Sequence, residues 1–375
     1  MSRRGGREDG RSAALAPASG IQPGALNLLE RALGLGAGQR LLIVAEPDGT
    51  AIYDREVGDT LAAAARRLGA ETAKVVVPLP AGPEHLPGAL TAAIVAADRV
   101  LFLSRIGDQV RFSRIPGLEK SVIAYTLTTA LLEGWFGRLP HRFLTEIHDR
   151  FQATLDAART YRIRSPAGTD LAGSLASGLP AGEGVRDFTV RSFPVMIFPP
   201  VPAAGASGRL VLTHFLCSTS IHDYGGAILP LPSPLTLTIE SGRIVRFDGE
   251  PALRRRVEAH FARIGALSGG DPARLFSWHA GINPATAFPG AALDAIDRWS
   301  SVAFGSPRYA HFHLCGRDPG DICGQVFDAT IELDGEAYWR DGRFLFLQRQ
   351  ENAALAAACG VPPEVLTTVA PIGIS

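Results

Sequence analysis

Three short, largely apolar runs, separated from one another by helical segments, constrain the fold of the first half of this chain. They span residues 41–45 (LLIVA), 73–77 and 99–103 (RVLFL), and each is typical of a strand buried in a parallel sheet. Helices are predicted at residues 24–33, 54–68, 86–97, 121–133 and 142–159. Because strand, helix and strand in this order require a right-handed crossover, this half predicts a Rossmann-like parallel sheet.

The second half predicts a different architecture, made of short antiparallel strands. Three tetrapeptides, ESGR at 240–243, LDGE at 333–336 and RDGR at 340–343, predict tight hairpin turns. One helix is predicted at residues 252–264. Strands are predicted at residues 210–215, 235–239, 243–247, 276–280, 309–315, 326–333 and 343–347.

These two patterns predict an α/β domain followed by an antiparallel, β-rich α+β domain. A length of 375 residues agrees with two domains. Gly, Ser and Pro accumulate near residues 165–182, where we place the linker. The predicted organisation is a disordered tail at 1–20, the Rossmann-like domain at 21–170 and the α+β domain at 183–375.

Charge and cysteine usage exclude several classes of function. Basic and acidic residues balance at 37 each, which argues against a nucleic-acid binder because such proteins carry an excess of Lys and Arg. No run of about 20 apolar residues predicts a membrane span. Four cysteines are too few for a disulfide scaffold, so we expect a cytoplasmic protein with free thiols.

The run YAHFHLCG at residues 309–316 is the sharpest chemical feature. Alternate side chains on a strand share a face, so His311, His313 and Cys315 are expected to point the same way. Two imidazoles and a thiol could bind zinc, or iron through the histidines, and Cys323 and Asp328 follow within reach. The alternative is a polar cavity whose histidines form hydrogen bonds without a metal.

A second feature, WHAGINP at residues 278–284, predicts a strand that ends in a turn. His279 either faces the same cavity or is a hydrogen-bonded core histidine. Other motifs are uninformative. The glycines at 34–38 precede a strand, whereas a phosphate-binding loop follows one. The serines at 218–220 beside two histidines predict a polar loop rather than a catalytic triad.

Several segments together resemble a known family, the thermophilic-type metalloaminopeptidases and the related 2,5-dihydroxypyridine 5,6-dioxygenases. The resemblance covers most of residues 21–350. It rests on GQRLLIV at 38–44, LTIESGRIV at 237–245, the Asp-Gly pair at 248–249, Gly-x-Asn-Pro at 281–284, HLCG at 313–316 and VFD at 326–328. It implies a cleft between two domains and a homodimer.

The departures from that family concern its metal ligands. Met196 or Ile197, Ser277 and Val326 stand where the resemblance places a carboxylate, a Glu or His, and the His of a His-x-Asp motif. Losing several ligands should abolish metal binding. The exception would be a site rebuilt from His279, His311 or His313, and Asp328.

The resemblance therefore implies a degenerate member, similar to peptide-binding proteins of ribosomal peptide natural-product (crocagin-type) biosynthesis. The expected function is metal-free, non-catalytic binding of a precursor peptide that assists its modification. Metal-dependent aminopeptidase and non-haem iron ring-cleaving dioxygenase remain the alternatives. No catalytic residue, metal or cofactor is assigned. The expected cleft residues are Trp278, His279, Asn283, His311, His313 and Asp328.

Overall fold

A computed structural model describes residues 20–49, 52–175, 188–226 and 228–374. The predicted disordered tail lies outside these residues, except for Gly20. So do residues 176–182 of the predicted linker.

The described chain contains helices and strands in about equal measure. The strands are β1 Arg40–Ala45, β2 Glu71–Val76, β3 Arg99–Leu103, β4 Ser121–Ala124, β5 Thr160–Arg164, β6 Asp170–Ser174, β7 Arg191–Phe193, β8 Val201–Pro202, β9 Ser207–Ser218, β10 Leu229–Glu240, β11 Arg243–Asp248, β12 Asp271–Ala280, β13 Tyr309–Gly316, β14 Ile322–Phe327, β15 Thr330–Leu333, β16 Glu336–Arg340 and β17 Arg343–Phe344.

The α-helices are mostly short, and the first continues into a π-helical turn at Asn27–Ala32. They are α1 Pro23–Leu26, α2 Arg55–Arg67, α3 Gly88–Ala96, α4 Ile106–Gln109, α5 Thr129–Glu133, α6 Trp135–Arg138, α7 His141–Ala157, α8 Pro251–Ser268, α9 Ile296–Ala303, α10 Gln350–Ala358 and α11 Pro363–Thr367. Single 3-10 turns lie at Pro83–His85, Leu118–Lys120, Ala292–Asp294 and Leu345–Gln348. None of the helices in the described ranges is long and apolar enough to cross a membrane.

The first sheet is parallel throughout and has the order β2-β1-β3-β4-β7. Numbered along the chain, this is the 2-1-3-4-5 order of flavodoxin-like doubly wound folds. The interiors of its central strands are apolar; Ile43, Val44, Leu101 and Phe102 have no exposed surface. The predicted Rossmann-like sheet is confirmed.

Two predictions within this sheet were wrong. Residues 121–133 do not form one helix, because Ser121–Ala124 pairs between β3 and β7 and the helix begins only after Thr128. The Thr128 side chain accepts a hydrogen bond from the backbone N–H of Leu131 and so caps that helix. Strand β2 lies at the sheet edge rather than in the interior, and Val76 is 55% exposed.

The second sheet is antiparallel and partly closes on itself. Strand β10 pairs with β11 on one side and β9 on the other. The series β10-β11-β12-β13-β14-β9 therefore returns to its start and forms a ring of six strands. Strands β6, β5, β15, β16 and β17 extend from β9 as a branch. Closure is thin at one place, because β11 meets β12 only through the pair Arg243 and Arg274. Among the described residues, most of that edge of β11 therefore has no partner strand.

All three predicted hairpin turns are confirmed, and each has two central residues with positive φ. These pairs are Ser241 and Gly242, Asp334 and Gly335, and Asp341 and Gly342. Two consecutive positive φ values are typical of the tight turn that matches the twist of antiparallel strands. Predicted strand 326–333 was wrong as a single element, because Asp328 has φ +50 and separates β14 from β15.

The chain passes between the two sheets more than once. Strand β5 ends just before the predicted linker, β6 lies within it, and both pair within the second sheet. Strand β7 follows the linker and pairs with β4 in the first sheet. The exact domain bounds stay a prediction.

Candidate metal centre

Two rows of polar side chains cross one face of the second sheet. In the first row, His311 on β13 pairs with His279 on β12 and with Gln325 on β14. The second row consists of four residues, each paired with the next across neighbouring strands: Ser277 on β12, His313 on β13, Cys323 on β14 and Cys217 on β9. Residues two apart on a strand share a face, so both rows point the same way.

The opposite face of the same strands is apolar. Trp278 pairs with Phe312, and Phe312 with Gly324, in the row between the two polar rows. Trp278 and Phe312 have no exposed surface and pack into a large apolar core with α8. The alternation of apolar and polar residues thus places every polar side chain of these rows on the face toward the first sheet.

Three histidines converge in these rows. Ligand nitrogens of His279, His311 and His313 all lie within 4.8 Å of one another. The His279 and His311 rings are stacked, with centroids 4.8 Å apart and planes 13° from parallel. The His313 ring lies 4.9 Å from that of His279 and 5.2 Å from that of His311. All three are at most 7% exposed. We call these three residues the histidine triad.

Neighbouring groups orient two of the three rings. His279 Nδ1 lies 2.8 Å from the backbone carbonyl oxygen of Phe198, which makes this nitrogen the N–H donor. Its Nε2 is then left with a free lone pair. His313 Nδ1 lies 3.2 Å from Ser277 Oγ. His311 Nδ1 is buried and has no hydrogen-bond partner among the described residues.

All three imidazoles are neutral at physiological pH. Burial holds the pKa values of His279 and His311 well below the usual range of histidine, and neighbouring imidazoles lower them further. Burial, with the nearby Arg111 guanidinium, lowers the pKa of His313 to about 3. Neutral imidazole is the form that binds metal, so these rings need to lose no proton.

An ion pair between the part-buried Arg111 and the buried Asp108 lies near the triad. The Arg111 guanidinium donates to Asp108 Oδ1, and the Tyr125 hydroxyl donates to the same oxygen at 2.7 Å. Burial alone would lower the pKa of Arg111, but Asp108 and Tyr125 together raise it, so the guanidinium stays charged. Asp108 belongs to α4, directly after the central strand β3 of the first sheet.

A cavity of about 50 Å³ lies between the two sheets, and residues of the histidine triad and of the Arg111–Asp108 ion pair border it. His311 and His313 line it from the second sheet, and Asp108, Arg111 and Phe112 line it from α4 and the turn that follows α4. The remaining walls consist of Ile197, Cys217, Ser218, Thr219, Ser220, Ile221, Ser300, Ser301, Phe304, Tyr309 and Cys323.

The six residues expected in the cleft divide into two groups. His279, His311 and His313 are brought together, and the other three are not. Trp278 points into the apolar core on the opposite face. Asn283 is fully buried and bonds to the backbone of Val195 and Ala285.

Asp328 does not join the histidine triad. Arg308 holds its carboxylate through two parallel hydrogen bonds of 2.8 Å each. The backbone turns at Asp328 with φ +50, outside strand β14. A site of the two-histidine, one-carboxylate type is therefore not formed by Asp328.

The cysteines also separate. Cys315 does not share the face of His311 and His313, because its φ of +56 breaks the alternation of β13. Its Sγ lies 3.3 Å from the backbone carbonyl oxygen of Phe261, on the core side. Cys323 lines the cavity and pairs directly with Cys217 on β9.

The positions at which the family resemblance placed ligands have other roles. Val326 packs in the apolar core, on the face away from the triad. Ser277 contacts His313 instead of occupying a ligand position of its own. No sequence motif pointed to Arg111, Asp108 or Tyr125, which come close to the histidines only through the packing of the two sheets.

The described chain is similar in structure to 2,5-dihydroxypyridine dioxygenase from Pseudomonas putida KT2440. The TM-score is 0.56, the sequence identity is 16%, and the match covers 88% of this chain and 98% of the other. The two proteins share a fold. No family model matches the sequence, and no curated protein matches it either.

Four expectations from the sequence analysis are not tested by the fold or the site and stay predictions. These are the crocagin-type relationship, the precursor-peptide partner, the homodimer and the cytoplasmic location. Strand β13 lies between β12 and β14, so a peptide cannot pair with a free edge of β13 beside His311 and His313.

Proposed function

We propose that this protein is a metalloenzyme in which His279, His311 and His313 bind one transition-metal ion, and that it oxygenates a small organic substrate. The observation that carries this proposal is the approach of three buried, neutral imidazoles to within 4.8 Å of one another beside a cavity. Among the described residues, no other group of three histidine, cysteine or acidic side chains lies so close together.

The chemistry of the triad fits a transition metal. Imidazole nitrogen suits iron, zinc, copper and nickel, and three protein ligands leave positions open for other molecules. The hydrogen bond from His279 Nδ1 to the Phe198 carbonyl fixes the ring in the orientation and tautomer that a ligand needs. The buried His311 Nδ1 without a described partner is a further polar atom that a metal or its bound ligand could satisfy.

The surrounding residues would prepare the site for chemistry on a small molecule. Burial of the triad excludes bulk water, and Ile197 and Phe304 give the cavity apolar walls. Arg111 offers a positive charge opposite the histidines. An iron ion bound here would supply electrons and a binding position for dioxygen.

The shared fold with a dioxygenase supports oxygenation over the alternatives. The sequence resemblance alone predicted a metal-free peptide-binding protein, because three expected ligand positions lack a ligand. The triad supports a different ligand set in the same fold. Peptide binding without a metal is the outcome if the triad takes up no ion.

Metal titration of the metal-free protein tests this proposal. We expect one ferrous ion per chain under anaerobic conditions, and a high-spin nitrosyl signal in electron paramagnetic resonance when nitric oxide is added. The nitric oxide tests for an open position without any knowledge of the substrate. His279→Ala, His311→Ala and His313→Ala should each weaken iron binding by at least about 10–100-fold, the range for residues that merely orient a ligand.

His85→Ala is the matched control, because His85 is exposed and lies outside the triad. It should leave iron binding unchanged. Iron binding that survives all three triad substitutions would overturn the proposal. Tight zinc binding without a nitrosyl signal would move the protein to the hydrolases, which include the metal-dependent aminopeptidases.

A further inference from the structure

The size and the wall residues of the cavity beside the triad indicate which class of ligand it would hold. Its volume is about 50 Å³, and a single water needs about 10–15 Å³ of such space, so the cavity has room for roughly three to five atoms of that size. A second cavity of about 190 Å³ adjoins it. The two share Ser218, Ser220, Ser300 and Ser301 in their walls.

One cation in this cavity has donor capacity left over. Arg111 donates through Nε to the Asp108 backbone and through Nη2 to the Asp108 carboxylate. Its Nη1 makes no hydrogen bond to any residue in the described ranges. A part-buried guanidinium with a free N–H edge is suited to a carboxylate.

The balance of charge in the site also favours an anion. Arg111 and Asp108 cancel each other, and the neutral imidazoles of the triad contribute no charge. A divalent ion on the triad would then leave two positive charges in a buried place. Uncompensated buried charge is costly, and an anionic ligand beside it would reduce that cost.

Three of the four shared serine hydroxyls present acceptors rather than donors. Ser218 Oγ donates to the His222 carbonyl, and both Ser300 and Ser301 donate to the Asp297 carbonyl. Each hydroxyl has one proton, so the oxygens of Ser300 and Ser301 keep lone pairs for a partner that donates. Ser218 Oγ already accepts from the Ser220 backbone N–H and has one lone pair left. A ligand with a hydroxyl or amino group fits such a wall.

We propose that the cavity binds a short carboxylic acid that carries a hydroxyl or amino group. The carboxylate contacts Arg111 and the hydroxyl or amino group contacts the serine oxygens. The tail of a longer acid extends into the second cavity. This inference names the substrate class of the metal site proposed above and rests on that proposal.

Calorimetry with glycolate and its neutral counterpart glycolamide tests the inference. Both are titrated into the zinc-loaded protein, in which the metal has no redox chemistry, and into the metal-free protein. We expect glycolate to bind the zinc-loaded protein at least 10-fold more tightly than glycolamide. This comparison uses the wild-type chain and so does not depend on whether a variant folds.

Variants of the arginine locate the contact. Arg111→Met should weaken glycolate binding at least 10-fold, and Arg111→Lys should restore part of it. Arg114→Met is the matched control, because Arg114 is exposed three residues away and lines neither cavity. Zinc affinity, measured by competition with a chelator, should change little in all three variants.

The two proposals fail in different ways. Equal binding of glycolate and glycolamide, or no binding of either to zinc-loaded protein, overturns the substrate class and leaves the metal site standing. Absence of zinc and iron binding overturns the metal site. In that case glycolate binding to the metal-free protein, if lost in Arg111→Met, still supports the anion site.

Discussion

Acidification of the metal-free protein should reveal the cost of burying the histidine triad. His313 has a pKa of about 3 in the folded chain, against about 6.5 for an unperturbed histidine. Between these two values the unfolded chain takes up a proton that the folded chain does not. The free energy of unfolding therefore falls as the pH falls below about 6.5, and the full contribution is present above that value.

The size of this loss of unfolding free energy follows from the lowered pKa of His313. One pKa unit corresponds to about 1.4 kcal/mol, so lowering the pH from 6.5 to about 4.5 should remove about 2 kcal/mol through His313 alone. His279 and His311, whose pKa values burial also lowers, act in the same direction. Because whole domains are stable by about 5–15 kcal/mol, the metal-free protein should approach unfolding near this pH.

Urea titrations between about pH 4.5 and 7.5 measure this dependence. His313→Gln should flatten the slope of unfolding free energy against pH by about 1.4 kcal/mol per pH unit. His85→Gln, at an exposed position, should leave the slope as it is. Parallel curves for the wild type and His313→Gln would show that His313 is not held neutral by burial.

Two further predictions concern the surroundings of the site. Asp328→Asn should weaken the pair with Arg308 and cost about 1 kcal/mol of stability in urea, while metal stoichiometry stays the same; a loss of metal would show that Asp328 is a ligand. Gly281→Ala should cost at least about 3 kcal/mol, because its Cβ would lie 2.1 Å from the Ser306 carbonyl oxygen. Gly335→Ala, with no heavy atom within 4 Å, should cost about 1 kcal/mol through its positive φ alone, and equal losses in the two glycine variants would contradict this account.

Much of the fold could be predicted from the sequence because local chemistry determines it. The Asp-Gly and Ser-Gly turns fixed three hairpins, since few residues adopt two consecutive positive φ values. The buried runs of β1 and β3 are continuously apolar. Strand β4 was missed because its four residues, SVIA, carry too little periodicity to be distinguished from the start of a helix.

The candidate site could be predicted only in part. Alternation along β13 predicted that His311 and His313 share one face of the strand, and the structure places them on the same face. The position of His279 beside His311 depends on the register between β12 and β13, and the two paired residues are about 30 positions apart in the sequence. Arg111 lies in the turn after α4, beside the first sheet, so no local pattern connects it with the histidines. Positive φ at Cys315 within β13 and at Asp328 after β14 removed two further candidates, and no residue pattern predicted either change of backbone direction.

The ring of six strands also imposes an order on biosynthesis. Residues 216–218 of β9 pair with residues 322–324 of β14, more than 100 positions later. At about 5–20 residues per second, a ribosome needs roughly 5–20 s to travel that distance. Throughout that interval the second half of β9 has an unpaired edge, and Cys217 faces no partner strand. Slower growth at low temperature does not shorten this exposure, whereas a chaperone that covers strand edges should raise the yield of folded protein.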